Sequence, residues 1–293
     1  MTFLVTGAGG QLGRRVVELL LEANAGKVVA ATRDPARIAD LAAKGAETRR
    51  ADFDDPASLD SAFAGVERLL LISTDAIHAP GVRLAQHRAA VAAAERAGVA
   101  HVIYTSAPSP CPAPDNPLID SHFWTEQALA ATNLAWTILR NNIYAEILLR
   151  SLSRAVETGQ LVTATGNGGR NYVTREDCAR TAAAALLRAD DGRRILDVNG
   201  PAPVTQAEIA AIASELTGRP VTHVSVSADE LRTALVAAGL PQPMAVGLAS
   251  FDVDAAEGRH AINAPTVKAL TGREPTSVRA FLTANRDALR PAG

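Results

Sequence analysis

Two cysteines, Cys111 and Cys178, are too few for a disulfide framework or a cysteine-built metal site. An excess of positive charge is also missing. The formal net charge is -2 over 293 residues, and no basic stripe stands out of the kind that releases counterions from a nucleic-acid backbone. Direct nucleic-acid binding is therefore not expected. No apolar run approaches the roughly 20 residues of a membrane helix, so no membrane association is expected. The apolar opening Met1–Thr6 has no basic leader, is too short for a signal peptide and gives way at once to Gly7, which reads as cytoplasmic. The histidines His78, His87, His101, His223 and His260 show no ligand spacing, and no metal is expected.

What is present is alternation. Phe3–Val5, Val28–Ala31, Leu69–Ile72 and Val102–Tyr104 are short continuous apolar runs, as in parallel strands covered on both faces. Trp136–Leu139 adds another strand, and Ala46–Arg50 a weaker one. Helical patterns fall between them near 11–23, 35–43, 56–63 and 81–97. Asp34–Pro35 and Asp55–Pro56 supply N-caps, and Gly98 closes the longest helix. This pattern predicts an α/β protein with a Rossmann-type, doubly wound parallel sheet and right-handed crossovers. Beyond about residue 140 the rhythm loosens, with helices near 142–157 and 175–188 and strands at 195–198 and 221–226. The expected division is a dinucleotide-binding domain over 1–150 with returning segments within 151–202. Residues 203–293 would then form a smaller α+β substrate lobe.

Between the first strand and first helix lies Thr6-Gly7-Ala8-Gly9-Gly10-Gln11-Leu12-Gly13. Gly7 permits a tight turn, Gly10 a close approach of backbone to pyrophosphate, and Gly13 close packing of helix on strand. The helix N-terminus then favours the phosphates. A glycine triplet alone is weak evidence, but here the strand before and the helix after are both in place. At the end of the second strand, where a carboxylate would bind the ribose of NAD, the sequence reads Thr32-Arg33-Asp34-Pro35. Asp34 is better used as a helix cap. Arg33 then remains to grip a 2′-phosphate, with Arg37 a turn further on, and the expected cofactor is NADPH.

These features resemble the short-chain dehydrogenase/reductase superfamily in its atypical NmrA-like branch, nearest the NAD(P)H:quinone oxidoreductase and triphenylmethane reductase group. The likeness is carried by Thr6–Gly13, Ala31–Pro35, Arg50–Phe53, Leu69–Thr74, Gln86–Arg88, Tyr104–Ser106, Leu139–Asn141 and Leu270–Ser277. It implies that Asp52 and Phe53 flank the adenine and that Ile72, Ser73 and Thr74 lie along the ribose and pyrophosphate. It also implies that Tyr104, Thr105, Ser106, Arg140 and Asn141 approach the nicotinamide. Asp177 is a family feature that reads as local helix capping.

The usual catalytic Tyr with a Lys four residues on is missing. Ser106 fits the serine position, but His122 and Glu126 stand in the Tyr and Lys places, as they do in the matched group. An electron-poor acceptor needs little proton donation as hydride arrives, so positioning beside the nicotinamide can suffice. His122 is the candidate acid, on the strength of an ordinary pKa near neutrality, or else a simple hydrogen-bonding residue. The proline-rich stretch 107–119 is either a stiff substrate rim or a surface crossover, and Asn142, Tyr144 and Phe251 are candidate substrate-lining residues.

The expectation is an NADPH-dependent oxidoreductase that passes hydride, without flavin, to a quinone-like or other conjugated small molecule, as a monomer or homodimer. An NADP(H)-sensing regulator without catalysis and a reductase of one biosynthetic intermediate are the alternatives.

Overall fold

The computed structural model describes residues 1–76, 81–114, 116–188 and 192–290. In chain order these form β1 (Thr2–Val5), α1 (Gln11–Glu22), β2 (Lys27–Thr32), a 3₁₀ turn (Pro35–Ile38) running into α2 (Ala39–Ala43), β3 (Glu47–Arg50) and α3 (Pro56–Phe63). Then come β4 (Arg68–Leu71), α4 (Val82–Arg96), β5 (His101–Ser106), α5 (Pro117–Ala130), β6 (Ala135–Asn141) and α6 (Ile147–Thr158). The remainder is β7 (Gln160–Thr163), β8 (Gly169–Arg170), α7 (Arg175–Leu187), β9 (Arg193–Val198), β10 (Val204–Thr205), α8 (Gln206–Thr217) and β11 (Thr222–Ser225). It ends with α9 (Ala228–Ala237), α10 (Gln242–Ala256), α11 (Thr266–Thr271) and α12 (Val278–Ala284). His78 falls outside the described residues.

The main sheet is entirely parallel, in the order β3-β2-β1-β4-β5-β6-β9. Strand order reverses between β1 and β4, which opens a crevice at the carboxyl ends of those strands. Alternate residues of each strand feed two cores. Val5, Ile103 and Leu139 pack with α1 and α7, while Leu4, Leu69, Leu71, Val102 and Tyr104 pack with α3 and α4. Helix α1 shows why the sequence folds so: Leu12, Val16, Val17 and Leu20 recur at helical spacing and all bury on the sheet.

Several boundaries shift for local reasons. The helix expected over 35–43 begins as a 3₁₀ turn, because Arg37 bonds back to the Asp34 carbonyl (3.2 Å) and Ile38 leaves helical geometry as its side chain enters the core. The helix expected from 142 starts at Ile147, because Tyr144 bridges to Val173 and the Ala145 amide donates to the Val173 carbonyl.

Beyond β6 the chain divides its packing. Helix α7 and strand β9 return to the large sheet, and Val267 and Leu270 of α11 pack into the same core. Strands β7 and β11 pair in parallel, β8 and β10 antiparallel. Helices α6, α8 and α12 enclose another core around Leu152, Tyr172, Ile209 and Leu282. The described helices include none long and apolar enough to cross a membrane.

Candidate active site at the carboxyl edge

The loop after β1 is held from both sides. The Thr6 hydroxyl donates to the Leu70 carbonyl (3.1 Å) and accepts from the Ile72 amide (2.9 Å). Gly7 takes a left-handed φ of +62°, and the Gly10 amide donates to the Gly7 carbonyl at 2.9 Å. A Cβ on Gly13 would sit 2.4 Å from that same carbonyl oxygen, so only glycine lets α1 start this close to the turn. Gly10 caps α1 without any side-chain hydrogen bond. The first-turn amides are therefore left for an external acceptor. Gly7, Gly9, Gly10 and Gln11 are exposed, whereas the Leu12 side chain is in the core and has only its amide to offer. This cradle suits a pyrophosphate.

At the end of β2, one Asp34 carboxylate oxygen accepts from the Ala36 amide (3.1 Å), the cap read from the sequence. Arg33 is exposed, with no hydrogen bond or ion pair from its side chain among the described residues. Arg37 is exposed too, and its carbonyl accepts from Arg14 (3.5 Å). The Asp52 carboxylate accepts from Arg50 and from the Asp54 amide, while Phe53 lies partly buried against the α3 side of the core. Ile72, Ser73 and Thr74 are partly buried along the β4 edge. The Ser73 amide donates to the Thr105 hydroxyl (3.0 Å) and the Thr74 amide to His87 Nε2 (3.0 Å).

A buried polar cluster lies between β5 and helices α4 and α5. Arg83 donates to His122 Nε2 (3.0 Å), which leaves Nδ1 as the protonated nitrogen, facing the Tyr104 hydroxyl at 2.8 Å. His87 accepts from Thr74 through Nε2, so its Nδ1 donates to the Thr125 hydroxyl (2.9 Å), which passes its own proton to the Ser121 carbonyl. Burial first, and the Arg83 charge second, lower His87 to about 3 and hold His122 well below its ordinary value. Burial likewise raises the Tyr104 hydroxyl. Two expectations are corrected here. His122 does not titrate near neutrality, because it is 5% exposed and both ring nitrogens are engaged. Nor does the Tyr104 ring reach toward a nicotinamide: strand alternation turns it under the sheet, where it is fully buried.

One turn along α5, Glu126 takes the place of the usual lysine. Its carboxylate accepts from the Ser106 hydroxyl (2.7 Å) and from Arg140 through both oxygens (3.0 and 2.7 Å). This pair fixes Arg140 at the end of β6 and commits the serine proton inward. Asp197 faces Arg140 from β9, its carboxyl raised by burial against the pull of that arginine.

The profile of the NAD(P)H-binding family matches residues 7–189. The chain belongs to that family. Its relatives include quinone oxidoreductase 2 of Escherichia coli, 37% identical over 94% of this chain and 95% of the relative. An NmrA-like family domain-containing oxidoreductase of Aspergillus flavus is 30% identical over 98% and 97%. Among solved structures, the E. coli NADPH-dependent quinone oxidoreductase complexed with NADPH superposes with a TM-score of 0.91 at 36% identity, covering 97% of this chain and 99% of that one. Triphenylmethane reductase of Citrobacter sp. gives 0.87 at 33% identity over 99% of both chains. The NmrA-like resemblance read from the motifs therefore holds along nearly the whole chain.

Within this family frame the remaining expected residues separate. Asn141 stays at the edge of β6, donating to the Tyr144 hydroxyl (3.3 Å) while its own carbonyl oxygen has no partner. Tyr144 is capped by Arg175, whose guanidinium lies 5.3 Å from the ring centre. Phe251 is partly buried on α10, 6.0 Å from the His260 ring. Asn142 is corrected from substrate-lining residue to internal strut: it is 2% exposed and donates to Asn199 and the His260 carbonyl. The proline-rich loop is tied to the C-terminal part, since Ser109 donates to the Arg259 carbonyl and Asn116 to Ser250. Asp177 accepts from Thr174 and from the distant Thr276 amide, a structural role.

Sequence reasoning missed Arg83 and undervalued His87. The signal was their spacing, four residues apart on the helix that follows β4, which places both on one face. Among the described residues no group of His, Cys, Asp or Glu could hold a metal.

Proposed function

We propose that the chain is an NADPH-dependent reductase that passes hydride directly, without a flavin, to quinone-like or other conjugated electrophiles. The observation that carries this reading is the pairing of the open glycine cradle with an unpaired Arg33 beside an Asp34 already occupied as a cap. A 2′-phosphate finds there a guanidinium with no partner among the described residues, whereas the neighbouring carboxylate already spends one oxygen on the helix cap. The similarity to the NADPH complex of the quinone oxidoreductase, and to a reductase of triphenylmethane dyes, supports the same cofactor and acceptor class.

The chain's own groups would divide the work as follows. The amides of Gly9, Gln11 and Leu12 take the pyrophosphate, with the Gly10 amide holding the turn closed onto Gly7 and with Arg33 and Arg37 on the 2′-phosphate. Ser106, its proton committed to Glu126, presents acceptor lone pairs toward the edge, and Arg140 is held rigid behind it. When bound, NADPH supplies the hydride. His122 acts by position: with no available proton near neutrality, it orients Arg83 and Tyr104. Such a site handles acceptors that are already electron-poor and serves simple ketones badly, because a ketone needs an acid for its alkoxide.

Steady-state NADPH oxidation with a benzoquinone and with a plain ketone tests this reading. Quinone turnover with little ketone turnover is expected. Efficient ketone reduction would overturn the mechanism. Tight NADPH binding without turnover of any acceptor would favour a sensor instead.

A further inference from the structure

Arg83 sits in the first turn of α4 and is 5% exposed, yet no carboxylate among the described residues forms an ion pair with it. One nitrogen donates to His122, while Nε and Nη1, both buried, have no hydrogen-bond partner among the described residues. Asp75 acts on it only through space, and burial lowers its pKa. A buried cation with idle donors is costly to fold unless something else supplies an acceptor. Its position suggests what that is. Helices α4 and α5 begin at the carboxyl ends of β4 and β5, beside the crevice where strand order reverses. Arg83 also touches His122, which occupies the place of the missing catalytic tyrosine.

We infer that Arg83 is the electrophilic residue of this site, donating through its idle nitrogens to the acceptor's oxygen and stabilising the oxyanion that hydride addition leaves there. The inference rests on the reductase reading and deepens it into a substrate preference. A quinone that accepts hydride gains two electrons and becomes a hydroquinone monoanion, with the negative charge on oxygen. Water supplies the second proton after release, so no protein acid is required. A triarylmethane cation that accepts hydride becomes neutral, develops no oxyanion and gains nothing from a neighbouring guanidinium. Arg83 therefore biases the site toward acceptors that turn anionic and away from cationic ones.

The test compares the parent with Arg83→Met and Arg83→Lys, each checked for NADPH affinity and melting temperature. With benzoquinone, kcat/KM should fall about a hundredfold in Arg83→Met, the scale seen when one oxyanion donor is removed, and less in Arg83→Lys. With a cationic triphenylmethane dye it should stay constant or rise. A readout independent of turnover is the ionisation of 4-nitrophenol bound to the NADP⁺-loaded protein, followed by its colour. The parent should lower the phenol's apparent pKa by about one unit relative to Arg83→Lys or Arg83→Met, and Arg83→Lys suffices if the Met variant does not fold. Equal losses with quinone and dye, or an unshifted nitrophenol, would overturn the inference. A parent that turns over neither acceptor would instead reject the reductase reading, and the nitrophenol shift would still decide the role of Arg83.

Discussion

At β1 and β2 the carboxyl edge offers solvent an open backbone, with glycines, uncapped amides and an arginine whose side chain has no partner among the described residues. At β5 and β6 the same edge buries ionisable side chains, and nearly every one answers another: Ser106 to Glu126, Glu126 to Arg140, Tyr104 to His122. The first region is made to receive charge, and its specificity lies in what it leaves free. The second is preorganised, with its charges fixed before anything binds. Mutations should therefore weaken cofactor binding at the first and, where they remove one member of a buried pair, weaken the fold at the second.

The largest effect is expected from Glu126→Ala. It strips Arg140 of both acceptors and frees the Ser106 hydroxyl in a site that is otherwise closed. Breaking a buried pair typically costs about 3–5 kcal/mol, and the lower end applies because Arg140 keeps 24% of its side chain exposed. Urea unfolding should show a loss of about 3 kcal/mol. A loss below about 1 kcal/mol would make the pair an ordinary surface contact and erase the contrast.

Arg33→Ala should do the reverse. The side chain is exposed and loses no hydrogen bond or ion pair among the described residues, so the melting temperature should not move. NADPH affinity should fall by roughly ten- to a hundredfold while NADH affinity holds. Equal weakening of both cofactors would place the 2′-phosphate elsewhere.

The same contrast explains what the sequence could reveal. The glycine loop, the Asp34 and Asp55 caps and the apolar strands are local: each depends on residues a few positions apart, so linear spacing displays them. The large sheet followed from them. The buried cluster is assembled by topology, with Arg83, Tyr104 and His122 arriving from three elements, and no linear pattern marks them as neighbours. Hence His122 could be placed in the tyrosine's position but its ionisation could not be read, because burial and Arg83 set it. Asn142 failed similarly, its partners Asn199 and His260 lying far along the chain. The short strands β8 and β10, two residues each, are too brief to show any alternation.

The smallest single-residue effect is one histidine's share of a pH dependence that belongs to buried rings and not to the open edge. His87, with a pKa of about 3, His260, about 4, and His122, lower than usual, are all neutral in the folded chain near neutrality. Once unfolded, each would bind a proton below about pH 6.5. The unfolded state thus holds more protons in that window, and stability must fall as pH drops through it, by about 1.4 kcal/mol per pH unit for each fully neutral histidine. Most carboxylates titrate lower, so unfolding measured between about pH 5 and 6.5 isolates the histidines. His87→Gln, which cannot titrate, should remove one histidine's share of the slope, whereas Arg33→Ala should leave the slope untouched. A flat profile in the parent would mean that these rings take up protons in the folded protein as readily as in the unfolded chain, and His122 would return as a proton donor to the acceptor.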